Sequence, residues 1–159
     1  MLLIIACGNS LRSDDGAGLI FAERLEYACR ALDVAVERIS VHQLLPELAA
    51  DIAAEAVQAV VFVDTRLAAP GDLPALQPLS PKAASPSVGH HLTPAVLLLY
   101  AQALYHHCPP AWQITIPGVN FDHGESLSET AQNALAHVSV LARQITARLD
   151  DPRRNAKEL

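Results

Sequence analysis

The sequence predicts a three-layer α/β sandwich: a mostly parallel, twisted sheet with helices on both faces. Three observations carry that expectation. Apolar runs of strand length alternate with helical patterns along the chain. The run Val57–Val63 is almost wholly apolar, as expected of a central parallel strand covered on both faces. A Gly-bounded acidic turn, Gly8 to Gly18, sits where the first strand passes into a helix, a usual place for an α/β domain to put its chemistry. The chain has 159 residues, 51% of them hydrophobic, which is ample for one core. The expectation is a single domain over residues 1–150 and a polar tail over 151–159.

Taken in order, Leu2 to Cys7 reads as a buried strand; it is short and has no basic stretch before it, unlike a signal peptide. Gly16 to Leu32 reads as a helix with Ala17, Phe21, Leu25, Ala28 and Leu32 on one face. Val36 to Leu44 reads as the second strand, and Pro46 opens a short helix through Ala54. The central strand over Val57–Val63 ends in Asp64. A Pro- and Ser-rich connection then spans residues 70–89, with a short edge strand at Ala75–Leu79. Thr93-Pro94 is an N-cap followed by proline at the first helical position. The helix they open, to Tyr105, is apolar nearly all round and so is expected to be buried. Trp112–Ile116 is the last strand. Ser126-Leu127-Ser128-Glu129 fits a capping box opening one final helix, with Ala131, Ala134, Leu135, Val138, Leu141, Ala142, Ile145 and Leu149 at helical spacing.

Charge and composition exclude several function classes. The net charge of −6 gives no reason to expect nucleic acid or an anionic membrane as partner. No apolar run reaches the length needed to span a bilayer. Cys7, Cys29 and Cys108 are few, odd in number and outside any CxxC pattern, which suits a reducing cytoplasm. Neither GxSxG nor HExxH occurs. Asp64-Thr65 is followed by Arg66, not glycine, and the α/β pattern is wrong for a pepsin-like protease.

The sheet brings distant residues to one end. Asp14-Asp15 after the first strand, Asp64 after the third and His90-His91 before a helix all fall at the strands' carboxyl ends. Two carboxylates and an imidazole suit nickel, zinc, iron or manganese and leave coordination positions open. The acidic turn opposes phosphate, which such turns bind through exposed amides. Structural readings compete at each position: a helix-dipole role for Asp14 and Asp15, a turn for Asp64 and surface exposure for His90 and His91. Cys7 reads as apolar filler and not a nucleophile. His106-His107-Cys108 ends a helix, where imidazolium needs no metal, and His123 and Glu125 read as turn residues.

The motifs resemble those of the hydrogenase maturation proteases over residues 2–149. GNSLRSDDGAG matches that family's GN-x-L-x-x-D-[DE]-x-x-G. The strand ending in Asp64 with Pro70-Gly71 beyond it, His90-His91-Leu92-Thr93-Pro94 before a Leu-rich helix, and Gly124-Glu125-Ser126-Leu127-Ser128 are similar too. The resemblance implies a phosphorylase/hydrolase-like sandwich and an endopeptidase that trims the C-terminal extension of a nickel-iron hydrogenase large-subunit precursor after nickel insertion. It implies an acid, acid and His trio touching nickel: Asp15, Asp64 and His90, with His91 the fallback because Leu92 lies two places beyond His90. Asp15 and Asp64 are also expected to be the catalytic acids, and either carboxylate, Asp64 for one, could serve as general base. Many relatives carry Glu in place of Asp15, and Ser or Thr where this chain has Gly89. The nickel is expected to arrive on the substrate, with no organic cofactor, and the protein to be a cytoplasmic monomer. The alternatives are a zinc-carrying hydrolase, a non-catalytic nickel-binding assembly factor and a nucleotide-binding module.

Overall fold

The computed structural model describes residues 1–69, 71–83 and 92–151. Five strands form one sheet: β1 (Leu2–Cys7), β2 (Val36–Val41), β3 (Ala59–Leu67), β4 (Leu76–Leu79) and β5 (Ala111–Gly118). Their order is β2-β1-β3-β5-β4. The first four in that order run parallel, and β4 is an antiparallel edge strand on β5. The helices are α1 (Ala17–Arg30), α2 (Leu48–Ile52), α3 (Pro94–Tyr105), α4 (Glu129–Leu135) and α5 (Val138–Asp150).

Alternation along the strands builds two cores. Leu2, Ile4, Val61, Val63, Ile114 and Ile116 pack with Phe21 and Leu25 of α1 and with Leu141 and Ile145 of α5. Leu3, Ile5, Val60 and Phe62 point to the opposite face and pack with Ile52 of α2 and with Leu97, Leu98 and Ala101 of α3. Both faces are covered, so the buried stretches Leu2–Ala6 of β1 and Ala59–Val63 of β3 are apolar at every position. The three-layer sandwich expected from the sequence is the fold observed.

The topology fixes where a site can form. The chain leaves β1 toward β2 and later returns to place β3 on the other side of β1. The strand order therefore reverses between β1 and β3, and in such sheets the crevice for a ligand opens at the carboxyl ends of those two strands.

Several boundaries differ from the sequence expectation for physical reasons. The second strand stops at Val41, not Leu44, because its last partner is Cys7, the end of β1. β3 runs on to Leu67 because β5 extends alongside it to Gly118. Pro117 fits in β5 because β4 reaches only from Ala111 to Ile114, leaving that side of Pro117 without a strand that needs its missing N–H. The final helix is two: the chain tightens at Ala136 and His137, whose amides donate three residues back to Asn133 and Ala134. The apolar positions still face one core across this break, which is why the spacing did not reveal it. The capping box is misplaced by two residues: Ser128, not Ser126, caps α4, its side chain accepting from the Ala131 amide. α3 is capped by Thr93 as expected, but it is not buried all round; Leu99, Tyr100, Leu104 and Tyr105 are exposed.

Candidate active site at the carboxyl edge of the sheet

β1 ends in Cys7, and Gly8 follows at a point where the backbone doubles back on itself. A Cβ on Gly8 would collide with the carbonyl oxygen of Asp15, so only glycine lets the acidic turn close against the strand. The turn is short-range: the Leu11 amide donates to Asn9 Oδ1 at 3.0 Å, the Arg12 amide to the Asn9 carbonyl at 3.1 Å and the Asp15 amide to the Arg12 carbonyl at 3.0 Å. Residues Ser13–Gly16 then form one 3-10 turn that leads into α1. Ser13 takes a left-handed φ of 47°, an uncommon conformation for a non-glycine residue. It is held there by its amide on the Gly124 carbonyl, 2.7 Å, and its hydroxyl on the Asp122 carbonyl, 3.1 Å.

The two adjacent acids have opposite fates. Asp14 points inward and is 0% exposed. It accepts from the amides of Val119 (2.8 Å), Asn120 (3.0 Å) and Ser128 (2.7 Å) and from the Ser128 hydroxyl (2.6 Å). Burial pushes its carboxyl up, but the Ser128 hydroxyl and the three amides outweigh it and hold Asp14 below the usual carboxylate range. Asp14 is therefore a clasp on the loop 119–128 that is charged at neutral pH. Asp15, one residue on, is half-buried, and its charge acts on Asp64 and Cys7.

Asp64 lies within β3 on the face toward α3, in step with Val60 and Phe62. Its Oδ1 accepts from the Thr65 amide at 2.8 Å. Burial pushes the Asp64 carboxyl up, the Thr65 amide partly offsets this, and the negative charge of Asp15 pushes it up further, to about 6. The structure thus brings Asp15 and Asp64 together across the switch point. Thr65 points the other way; its hydroxyl accepts from the Gly18 amide at 3.0 Å. A Cβ on Gly18 would lie 3.2 Å from the Cys7 carbonyl oxygen and 3.3 Å from the Asp64 carbonyl carbon. Glycine there lets α1 sit directly over β1 and β3.

Cys7 adjoins both acids. Burial, then Asp64, then Asp15 push its thiol up to about 11, so it is a poor nucleophile. Its S–H donates to the His42 carbonyl at 3.4 Å. The His42 ring Nδ1 lies 3.2 Å from the Gly8 carbonyl oxygen, the arrangement of an Nδ1–H donor. His42 is the site-edge residue that sequence reasoning missed. The strand expected to run to Leu44 would include it; it is in fact the first residue past the strand end.

The proposed imidazole ligand His90 and its fallback His91 lie outside the described residues, as does Pro70. Among the described residues, no three His, Cys, Asp or Glu side chains converge closely enough to hold a metal ion. Of the other clusters, His106 takes the left-handed position that caps α3, and the His107 ring bonds the Ala53 carbonyl at 3.1 Å. Gly124 bridges to Arg12, its amide donating to the Leu11 carbonyl at 2.9 Å, so the segment holding His123 and Glu125 is stitched to the acidic turn. Among the described residues no helix is long and apolar enough to cross a membrane.

Fold and site together define a class of fold: a doubly wound α/β domain with an acid pair at its topological switch point. No protein-family profile and no curated protein sequence matches this chain. Solved structures do. The chain is similar to a [NiFe] hydrogenase maturation protease HycI from Thermococcus kodakarensis KOD1, with 24% identity, a TM-score of 0.62 and coverage of 94% of this chain and 92% of that one. It is also similar to the hydrogenase maturating endopeptidase HybD from E. coli, with 17% identity, a TM-score of 0.62 and coverage of 96% and 93%. A [NiFe] hydrogenase maturation protease HybD from Thermococcus kodakarensis matches at 17% identity and a TM-score of 0.59, covering 91% of this chain and 97% of that one. At these identities the likeness establishes the fold over nearly the full length of each protein.

Proposed function

We propose that this protein is an endopeptidase that removes the C-terminal extension of a nickel-iron hydrogenase large-subunit precursor after nickel has been inserted. The observation that carries the reading is the Asp15–Asp64 pair at the switch point of a fold shared with hydrogenase maturation proteases. The nickel is the substrate's own cargo, held by the precursor, and no organic cofactor is needed. Asp15, Asp64 and His90 touch that nickel and so tell a loaded precursor from an empty one.

Asp64 supplies the general base. Its carboxyl is raised to about 6, which makes it a better proton acceptor than an ordinary carboxylate while leaving it mostly ionised at neutral pH. It takes a proton from water as the water oxygen bonds to the scissile carbonyl carbon. The same proton passes to the amide nitrogen as the C–N bond breaks, leaving a new carboxylic acid, which gives its proton to solvent, and a released peptide with a new amino terminus. The test is the intact mass of nickel-loaded and nickel-free precursor after incubation with the wild-type protein and with Asp15→Asn, Asp64→Asn and His90→Ala. Loss of a C-terminal peptide from the loaded precursor alone is expected, with each variant slowed by at least about 100-fold. An unchanged precursor mass with wild-type protein, or full processing by all three variants, overturns the reading.

A further inference from the structure

Among the described residues only three polar residues are buried, Ser13, Asp14 and Thr65, and all three hold the segment that carries Asp15. Ser13 and Asp14 bind it to the loop 119–128. Thr65 binds it to β3. The Thr65 hydroxyl accepts from the Gly18 amide at 3.0 Å, and no other hydrogen bond among the described residues joins the segment 8–18 to the end of β3 at 64–67. The Thr65 amide meanwhile donates to Asp64 Oδ1 at 2.8 Å. One residue therefore grips one acid with its backbone and, with its side chain, the first turn of the helix that follows the other acid.

Packing alone does not call for threonine here. Along β3, Val61, Val63 and Thr65 share the face toward α1, and the first two are valines buried in that core. Valine at 65 would have the same branched shape and would suit a buried strand; what it lacks is the hydroxyl. Two contacts fix where that hydroxyl points. The Thr65 methyl faces Gly118, where a Cβ would lie 2.9 Å from it, and Gly18, bare of a side chain, brings its amide to the hydroxyl. We propose that Thr65 is a positioning residue for the cleavage: its hydroxyl, fixed on the Gly18 amide, sets the separation of the Asp15 and Asp64 carboxylates. This rests on the function proposed above and adds the residue that fixes the geometry of that site, because two acids acting on one substrate must be placed to a fraction of an ångström. Without the hydroxyl the Gly18 amide is buried with no acceptor, and the segment shifts to find one.

The test is steady-state cleavage of the nickel-loaded precursor by Thr65→Val, which keeps the shape and loses the hydroxyl, and by Thr65→Ser, which keeps the hydroxyl, at a temperature where both are folded. Thr65→Val is expected to lower kcat about tenfold or more with KM within about twofold of wild type, and Thr65→Ser to return kcat to within about threefold. A threonine that only supports the fold predicts instead a lower melting temperature with the kcat of the folded protein unchanged. A smaller fall in kcat with Thr65→Val, or an equal fall with Thr65→Ser, overturns the assignment. If Thr65→Val does not fold, Thr65→Ala, which removes the hydroxyl and adds nothing, is held to the same expectations. If the wild-type protein cuts nothing, the function reading fails by itself, and crystal structures of the wild type and the two variants decide the positioning. A carboxylate separation between Asp15 and Asp64 changed by more than about 0.5 Å in Thr65→Val and kept in Thr65→Ser upholds it, and a smaller change in Thr65→Val overturns it.

Discussion

At the scale of the single residue, two aspartates of this site pull stability in opposite directions with pH. The folded protein raises the Asp64 carboxyl from its ordinary value of 3.8 to about 6. A raised acid favours the protonated native state, so its contribution is fully present below pH 3.8 and is lost as pH rises through about 6. At pH 8 the ionised Asp64 is a liability of the order of 2–3 kcal/mol. Asp64→Asn keeps an oxygen to accept the Thr65 amide and removes the charge. We therefore expect the variant to be more stable than wild type at pH 8 and little different near pH 4, measured by urea unfolding at both, while the cleavage proposed above is lost. Equal stability gaps at the two pH values would remove the case for a strained base. That the protein tolerates a destabilising charge at this point is what a functional site, and not a structural turn, predicts.

At the scale of the element, the informative unit is the clasp between the acidic turn and the loop 119–128. Asp14→Ala would leave the amides of Val119, Asn120 and Ser128 without their acceptor, at a cost of about 3–5 kcal/mol. Ser128→Ala, which removes one charge-assisted bond and the α4 cap, is expected to cost about 1–3 kcal/mol. Chemical denaturation at neutral pH checks both. Little of this clasp was legible in the sequence. The Gly-bounded turn and its placement between strand and helix were, because strand periodicity and glycine spacing are local signals. The partition of Asp14 inward and Asp15 outward was only half legible: the family pattern favoured Asp15, but nothing nearby in sequence names the distant amides that hold Asp14. The same holds for His42, whose role follows from where β1 ends, and for the break between α4 and α5, which leaves the apolar face intact. Ser126 and Ser128 stand five and three residues ahead of Ala131, where the apolar run begins, and the capping-box pattern pointed to the first of them. The exposure of α3 was missed because apolar periodicity reports what can be buried, not what the neighbouring layer covers.

At the scale of the whole molecule, the fold class was legible because each strand and helix carries its own pattern and the order of elements prunes the topology. The same whole gives a pH optimum for stability. Asp14 is held below its ordinary value, so its stabilisation is present above pH 3.8 and lost as pH falls below that. Asp64 acts in the opposite sense up to about 6. The melting temperature of the wild-type protein should therefore peak between about pH 4 and 6, and Asp64→Asn should flatten the alkaline side of that peak. Calorimetry across that range checks it; a wild-type optimum at pH 8 would contradict both assignments. The bonds from Asp14 to residues 105, 106 and 114 positions later have one more consequence. During synthesis the acidic turn leaves the ribosome early, yet its clasp cannot close until Ser128 has emerged. A nascent chain therefore carries both acids without the loop that fixes their turn, and the site stays unformed until residue 128 has cleared the exit tunnel.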